Sequence, residues 1–199
     1  MQFIKFKLSY TMFMVFLMAP FFFAGCSPKP REPESVLDTP EHHVSSGLKL
    51  LEKNYFYDAK REFELALQLN PGYPGAYRGL GLTYGKERKF EHALESMRSA
   101  RDHAKTEKDK ALAYVGFMQI YTMEEGKNWL VKVKERFADA LQYKGDLPEA
   151  YYYMGVAYKK ANRQSEAEKA FKKVLTINKG LVMESEKELK SLQKSGHNS

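Results

Sequence analysis

A spacing of 34 residues constrains this chain more than any other feature. Gly47 and Gly81 lie 34 apart, as do Ala59 and Ala93, and Ala66 and Ala100. Gly116 follows Gly81 by 35 residues, and Gly155 follows Gly116 by 39. A segment of that length recurring in register is one supersecondary unit. It cannot bury its apolar face alone, so its copies stack into an array. Where the spacing stretches, the sequence still reads as helix: Trp129, Val133, Phe137 and Leu141 recur every four residues.

Aligned on the glycines, further residues fall at constant offsets. They are Ala59, Phe63, Ala66 and Pro71 in the first copy, and Tyr77, Leu80, Tyr84, Ala93 and Ala100 in the second. In the last they are Tyr151, Met154, Tyr158, Ala167 and Phe171. At these positions the chain resembles the tetratricopeptide repeat (TPR), a pair of antiparallel helices. The resemblance implies an all-α, right-handed solenoid of four helix pairs. It divides the chain into repeats at 40–73, 74–107, 108–147 (degenerate, with an insertion) and 148–181, then a capping helix and tail at 182–199. Glycine inside a helix costs about 1 kcal/mol against alanine. That cost is tolerable where a missing side chain admits the partner helix. Ala59, Ala93 and Ala167 are the expected opposing surface, with Tyr84 and Tyr158 filling the space beside it. Pro71 stops the second helix of the first pair. In the third pair Leu112, Val115, Gly116 and Gln119 are read as one face of the first helix, with the turn at Gly126. Val182, Leu189 and Leu192 form the thin apolar stripe of a helix that caps the array.

The first 26 residues read as an address. Lys5 and Lys7 precede an uncharged run from Leu8 to Gly25, interrupted by Pro20. A basic start, a short apolar run and a small-residue end describe a secretory signal, here 1–25. Phe23-Ala24-Gly25-Cys26 resembles the bacterial lipobox, with Phe23 where an aliphatic residue is usual. That resemblance implies an acylated Cys26, export, and anchoring in the cell envelope through lipid on Cys26. Ser27 resembles the signal for outer-membrane routing, facing the periplasm. Two rivals stay open: an uncleaved membrane helix, and a cysteine that is there by chance. Cys26 is the chain's single cysteine, so no intrachain disulfide supports the fold. Residues 26–39 carry the lipid site and a proline-rich linker, read as a disordered spacer. At about 3.1 Å per residue it reaches roughly 40 Å.

Lys5 and Lys7 are the only charges in residues 1–25, so the formal charge of +7 becomes +5 without them. That excess is spread along the chain, whereas nucleic-acid binding asks for a dense stripe. His42, His43, His92, His103 and His197 include no pair at metal-ligand spacing, and His42–His43 reads as a solvated edge. No nucleophile motif or phosphate loop is present. Gly79-Leu80-Gly81 lies inside a repeat helix, and Glu124–Glu125 beside a turn reads as solvated. The sequence therefore predicts a non-enzymatic protein with no cofactor, no small-molecule substrate and no nucleic-acid partner.

The TPR resemblance also implies a concave groove lined by the first helix of each pair. Carried over by position, it takes Val44, Leu48 and Leu51, then Arg78, Leu82 and Lys86, then Tyr152, Val156, Lys159 and Lys160. Ala113, Phe117 and Ile120 stand for the third pair. Its lysines and Arg78 suit an acidic peptide, or they merely keep the solenoid soluble. Leu82 and Val156 replace the asparagines of the family's carboxylate clamp, so chaperone-tail binding is not expected. The function implied is an envelope adaptor that binds a protein or peptide. The alternative is a non-catalytic regulator of a cell-wall or polysaccharide enzyme.

Overall fold

A computed structural model describes residues 29–196. The signal segment, Phe23, Cys26, Ser27 and His197 lie outside the described residues. Within them the chain forms nine helices and no strand. Four antiparallel pairs follow one another. They are α1 (Pro40–Glu52) with α2 (Phe56–Leu69), α3 (Pro74–Lys86) with α4 (Phe90–Asp102), α5 (Glu107–Glu124) with α6 (Trp129–Tyr143), and α7 (Pro148–Lys160) with α8 (Gln164–Ile177). A single helix, α9 (Val182–Gly196), closes the series.

Local chemistry explains the boundaries. Pro40, Pro74 and Pro148 open α1, α3 and α7 at the first turn, where the missing N–H has no partner to lose. Thr39 and Thr106 cap α1 and α5 by accepting backbone N–H groups. Three pairs share one turn. Asn54, Arg88 and Asn162 adopt φ values of 62°, 62° and 57°. In each, the next N–H reaches back five residues to a helix carbonyl: Tyr55 to Leu50, Lys89 to Tyr84, Arg163 to Tyr158. This is the Schellman termination.

The core explains the repeated glycines, with a correction to what opposes them. The alanines are fully buried, but they do not fill the glycine vacancy. The large side chain one turn later does. A Cβ on Gly47 would stand 2.6 Å from the Phe63 ring, and one on Gly79, in the next pair, would stand closer to it still. Met97 lies likewise between Gly81, at 2.7 Å, and Gly116, which it approaches more closely. Phe171 lies against Gly155 at 2.6 Å. Phe63 and Met97 thus each join their own pair to the following one.

That pattern also corrects the register of the third pair. Gly116 touches the preceding plug as Gly79 does, so it corresponds to Gly79 and not to Gly81. The residue matching Gly81 is Met118, which is fully buried. Ala113, Phe117 and Ile120, assigned to the groove, are core residues with at most 5% exposure.

Two further expectations change. The spacer reading fails for residues 31–38. The Arg31 N–H donates to the Gln68 carbonyl of α2 at 2.7 Å, and Asp38 is buried beneath the Arg31 guanidinium. His43 is not a solvated edge either: its ring bridges Asp38 and Glu62. At the other end, Leu192 and Leu189 of α9 pack on Ala167 and Phe171. Ser185 occupies the same stripe and is fully buried, its hydroxyl without a partner.

Candidate functional site

The first helices of the four pairs line one face, and their side chains enclose an open cleft of about 550 Å³. Leu48, Leu51 and Glu52 enter from α1, and Leu82 and Lys86 from α3. Gln119, Thr122 and Met123 enter from α5, and Tyr153, Val156 and Lys160 from α7. With Met118 matched to Gly81, the α5 trio falls at the positions of Leu82, Gly85 and Lys86. One register therefore accounts for the whole cleft. Its lining is mostly apolar. Thr122 turns its hydroxyl back to the Met118 carbonyl at 2.7 Å, which leaves its methyl to the cleft.

Of the groove residues assigned from sequence, the cleft gathers Leu48, Leu51, Leu82, Lys86, Val156 and Lys160, and leaves out Val44. Arg78, Tyr152 and Lys159 lie outside it. Tyr152 packs on Phe171 and Tyr153, beneath α9, and its neighbour Tyr153 turns into the cleft instead. Lys159 pairs with Glu188 of α9 at 2.5 Å and donates to the Ser191 hydroxyl. Arg78 sits toward the helix N-termini. Burial pushes its guanidinium pKa down, while the carboxylates of Asp109 and Glu149 pull it up.

The cationic end is largely matched from within. Lys160 pairs with Glu125 at 2.8 Å. Lys86 has neutral acceptors: its Nζ donates to the Leu51 carbonyl at 3.3 Å and to Asn54 Oδ1 at 3.5 Å, at the C-terminus of α1. Burial raises the Tyr153 pKa, with Tyr152 and Glu149 adding to the effect, so its phenol stays protonated. Glu52, Gln119, Thr122, Met123 and Tyr153 were missed from sequence. The signal that finds the α5 residues is a second periodicity: Tyr77, Tyr114 and Tyr151 are spaced by 37, as are Tyr84, Tyr121 and Tyr158.

Two other histidines also pack on helix partners. His92 lies against Tyr84, and His103 stacks on Tyr77 with centroids 5.1 Å apart. Among the described residues, no group of three or more His, Cys, Asp or Glu side chains is placed to hold a metal ion. No helix among them is long and apolar enough to cross a membrane.

Residues 148–181, which form α7 and α8, match the family model described as tetratricopeptide repeat. The structure superimposes on a thermophilic TPR protein of Thermus thermophilus with a TM-score of 0.64. Identity is 21%, over 78% of this chain and 82% of that one. The fold is that of a TPR protein. PilF of Pseudomonas aeruginosa also matches, with a TM-score of 0.56 and 17% identity over 80% of this chain and 69% of that one. A chain of the APC/C hetero-tetramer Cut9–Hcn1 gives 0.55 and 17% over 72% of this chain, but only 26% of its own length. By sequence alone, no curated protein matches the chain. In TPR terms the cleft is the concave surface of the array, and α9 follows the last complete repeat as a solitary helix.

Proposed function

We propose that this chain is a membrane-anchored adaptor of the cell envelope, which holds a segment of a partner protein in its concave cleft. The observation that carries this reading is the cleft itself: Leu48, Leu51, Leu82, Met123, Tyr153 and Val156 gather apolar surface on the face left open by the packing of the pairs. Concave, mostly apolar sites with a few fixed polar groups are where ligands bind. The TPR fold supports a protein as the ligand, and such folds generally serve as scaffolds without catalysis.

The chemistry of the partner follows from the lining. It is an amphipathic segment that gives apolar side chains to Leu48, Leu82 and Val156. Lys86 is the cation whose acceptors are neutral, so an acid of the partner pairs best there. The membrane anchor rests on the sequence alone, on the apolar run before Cys26 and the lipobox-like residues around it.

The experiment is photo-crosslinking of the full chain in cells, beside Leu82→Glu and Cys26→Ser. Leu82→Glu places a charge in the apolar cleft and is expected to abolish capture while the protein stays in the membrane fraction. Cys26→Ser is expected to lose the added mass of the acyl chains. Undiminished capture by Leu82→Glu refutes the cleft, and wild-type protein without lipid refutes the anchor.

A further inference from the structure

Four residues before the position of Gly81 and Gly155, α3 and α7 carry Tyr77 and Tyr151. The Tyr77 hydroxyl donates to the Pro71 carbonyl at 2.9 Å, and that of Tyr151 to the Gly145 carbonyl at 3.1 Å. Each phenol pins the loop that leads into its own helix. The matching residue of α1 is His43, and the strap 29–38 occupies the place of that loop. Repeat geometry thus puts an imidazole ring at the position where the other pairs carry a tyrosine.

His43 is clamped on both sides. Its Nε2 lies 2.8 Å from Asp38 Oδ1 of the strap, and its Nδ1 lies 2.8 Å from Glu62 Oε2 of α2. Ionised carboxylates only accept, and a neutral imidazole has one N–H to give, so both contacts are satisfied only by the imidazolium. Asp38 is the hub of the strap. It receives two guanidinium N–H groups of Arg31 at 2.8 Å and the Glu34 N–H at 2.6 Å. The Arg31 N–H in turn bonds to the Gln68 carbonyl. His42 is a further titratable neighbour, its ring meeting that of His43 edge-on at 5.9 Å.

We propose that His43 is a proton-operated latch: its imidazolium holds the strap 29–38 against the first helix pair, and loss of the proton releases the strap. Burial lowers the His43 pKa, but the hydrogen bonds and charges of Asp38 and Glu62 outweigh it, and the net shift is upward. Hydrogen bonds from Arg31, His43 and the Glu34 N–H hold the Asp38 carboxyl well below the usual carboxylate range. A raised histidine pKa stabilises the docked form fully below the ordinary imidazole value, and that contribution is lost as pH rises through the raised one. The depressed Asp38 acts in the opposite sense, and its contribution fails only in strong acid. Docking is therefore strongest in mildly acidic solution and weakens on the alkaline side. Release would give the chain ahead of α1 about 30 Å of slack, at about 3.1 Å per residue. The latch does not depend on what the cleft binds.

Amide hydrogen exchange on the full chain, from about pH 5.5 to about 9 and corrected for intrinsic rates, tests it. The docking constant falls about tenfold for each unit by which docking raises the His43 pKa. Protection of the Arg31 and Glu34 amides is expected to drop over that range by the factor that the His43 pKa shift, read by NMR, requires, with α8 amides constant as the control of folding. His43→Tyr, which restores the residue of the other pairs, abolishes the pH step. Asp38→Asn leaves the strap unprotected throughout and moves the His43 pKa, followed by NMR, down toward its ordinary value. Flat protection in the wild type, a pH step that survives His43→Tyr, or a His43 pKa indifferent to Asp38→Asn overturns the proposal.

Discussion

The pairs α1–α2, α3–α4 and α7–α8 are built alike, and α5–α6 is not. In the regular pairs the first helix has 13 residues, and a three-residue turn closes on one left-handed residue. Helix α5 has 18 residues and begins four residues earlier relative to the packing register. Its turn, 125–128, contains two left-handed residues, Glu125 and Asn128. The plug differs too: Phe63, Met97 and Phe171 are fully buried, but Phe137 is half-buried and Val133 takes the place of the small alanine. The difference teaches where such an array accepts extra residues. They enter at helix ends and turns, where backbone bonds can be re-formed, while the side chains facing the cleft keep their places.

The sharpest way to break that comparison is to remove the plugs. Phe63→Ala empties the space between Gly47 and Gly79 and is expected to cost about 3–5 kcal/mol. Phe137→Ala, at a half-buried plug, should cost roughly half as much. Equal losses in chemical denaturation would contradict the distinction between the two kinds of pair.

A smaller effect separates the two glycines that this register equates. Gly79→Ala drives a methyl into the rigid Phe63 ring and is expected to cost about 1–3 kcal/mol by overpacking. Gly116→Ala meets the flexible end of Met97 and gains about 1 kcal/mol of helix propensity, so it should be nearly neutral. A reversed order would mean that Gly116 does not occupy the position of Gly79. The smallest change concerns the shared turn, where Arg88 holds a conformation that Asn54 and Asn162 hold elsewhere. Arg88→Asn is expected to raise stability by about 0.5–1 kcal/mol, readable as a small rise in Tm.

Much of this fold was legible because the repeat is written in residues whose size matters: at Gly47, Gly81 and Gly155 a Cβ would run into Phe63, Met97 and Phe171. The third pair was misread because α3 carries glycine at two packing positions, Gly79 and Gly81, and α5 at only one. Gly116 was matched to the wrong one. The tyrosines resolve the ambiguity, since Tyr114 and Tyr121 keep their distances to Met118. The strap was illegible for a different reason. Its contacts, Asp38 with His43 and His43 with Glu62, join residues with no periodic relation, so prolines 30 and 33 dominated the reading. The pairing of Lys159 with Glu188 is as silent, and it withdraws a predicted groove cation into the contact with α9.

The central claim is that the partner lies in the cleft defined by this register. It is tested most directly by placing a photo-crosslinking residue, one position at a time, at Leu82, Gln119, Met123, Tyr152 and Lys159 of the full chain. The account predicts a common adduct from Leu82, Gln119 and Met123, and none from Tyr152 or Lys159. An adduct from Tyr152 or Lys159, with none from Leu82 and Gln119, would contradict it.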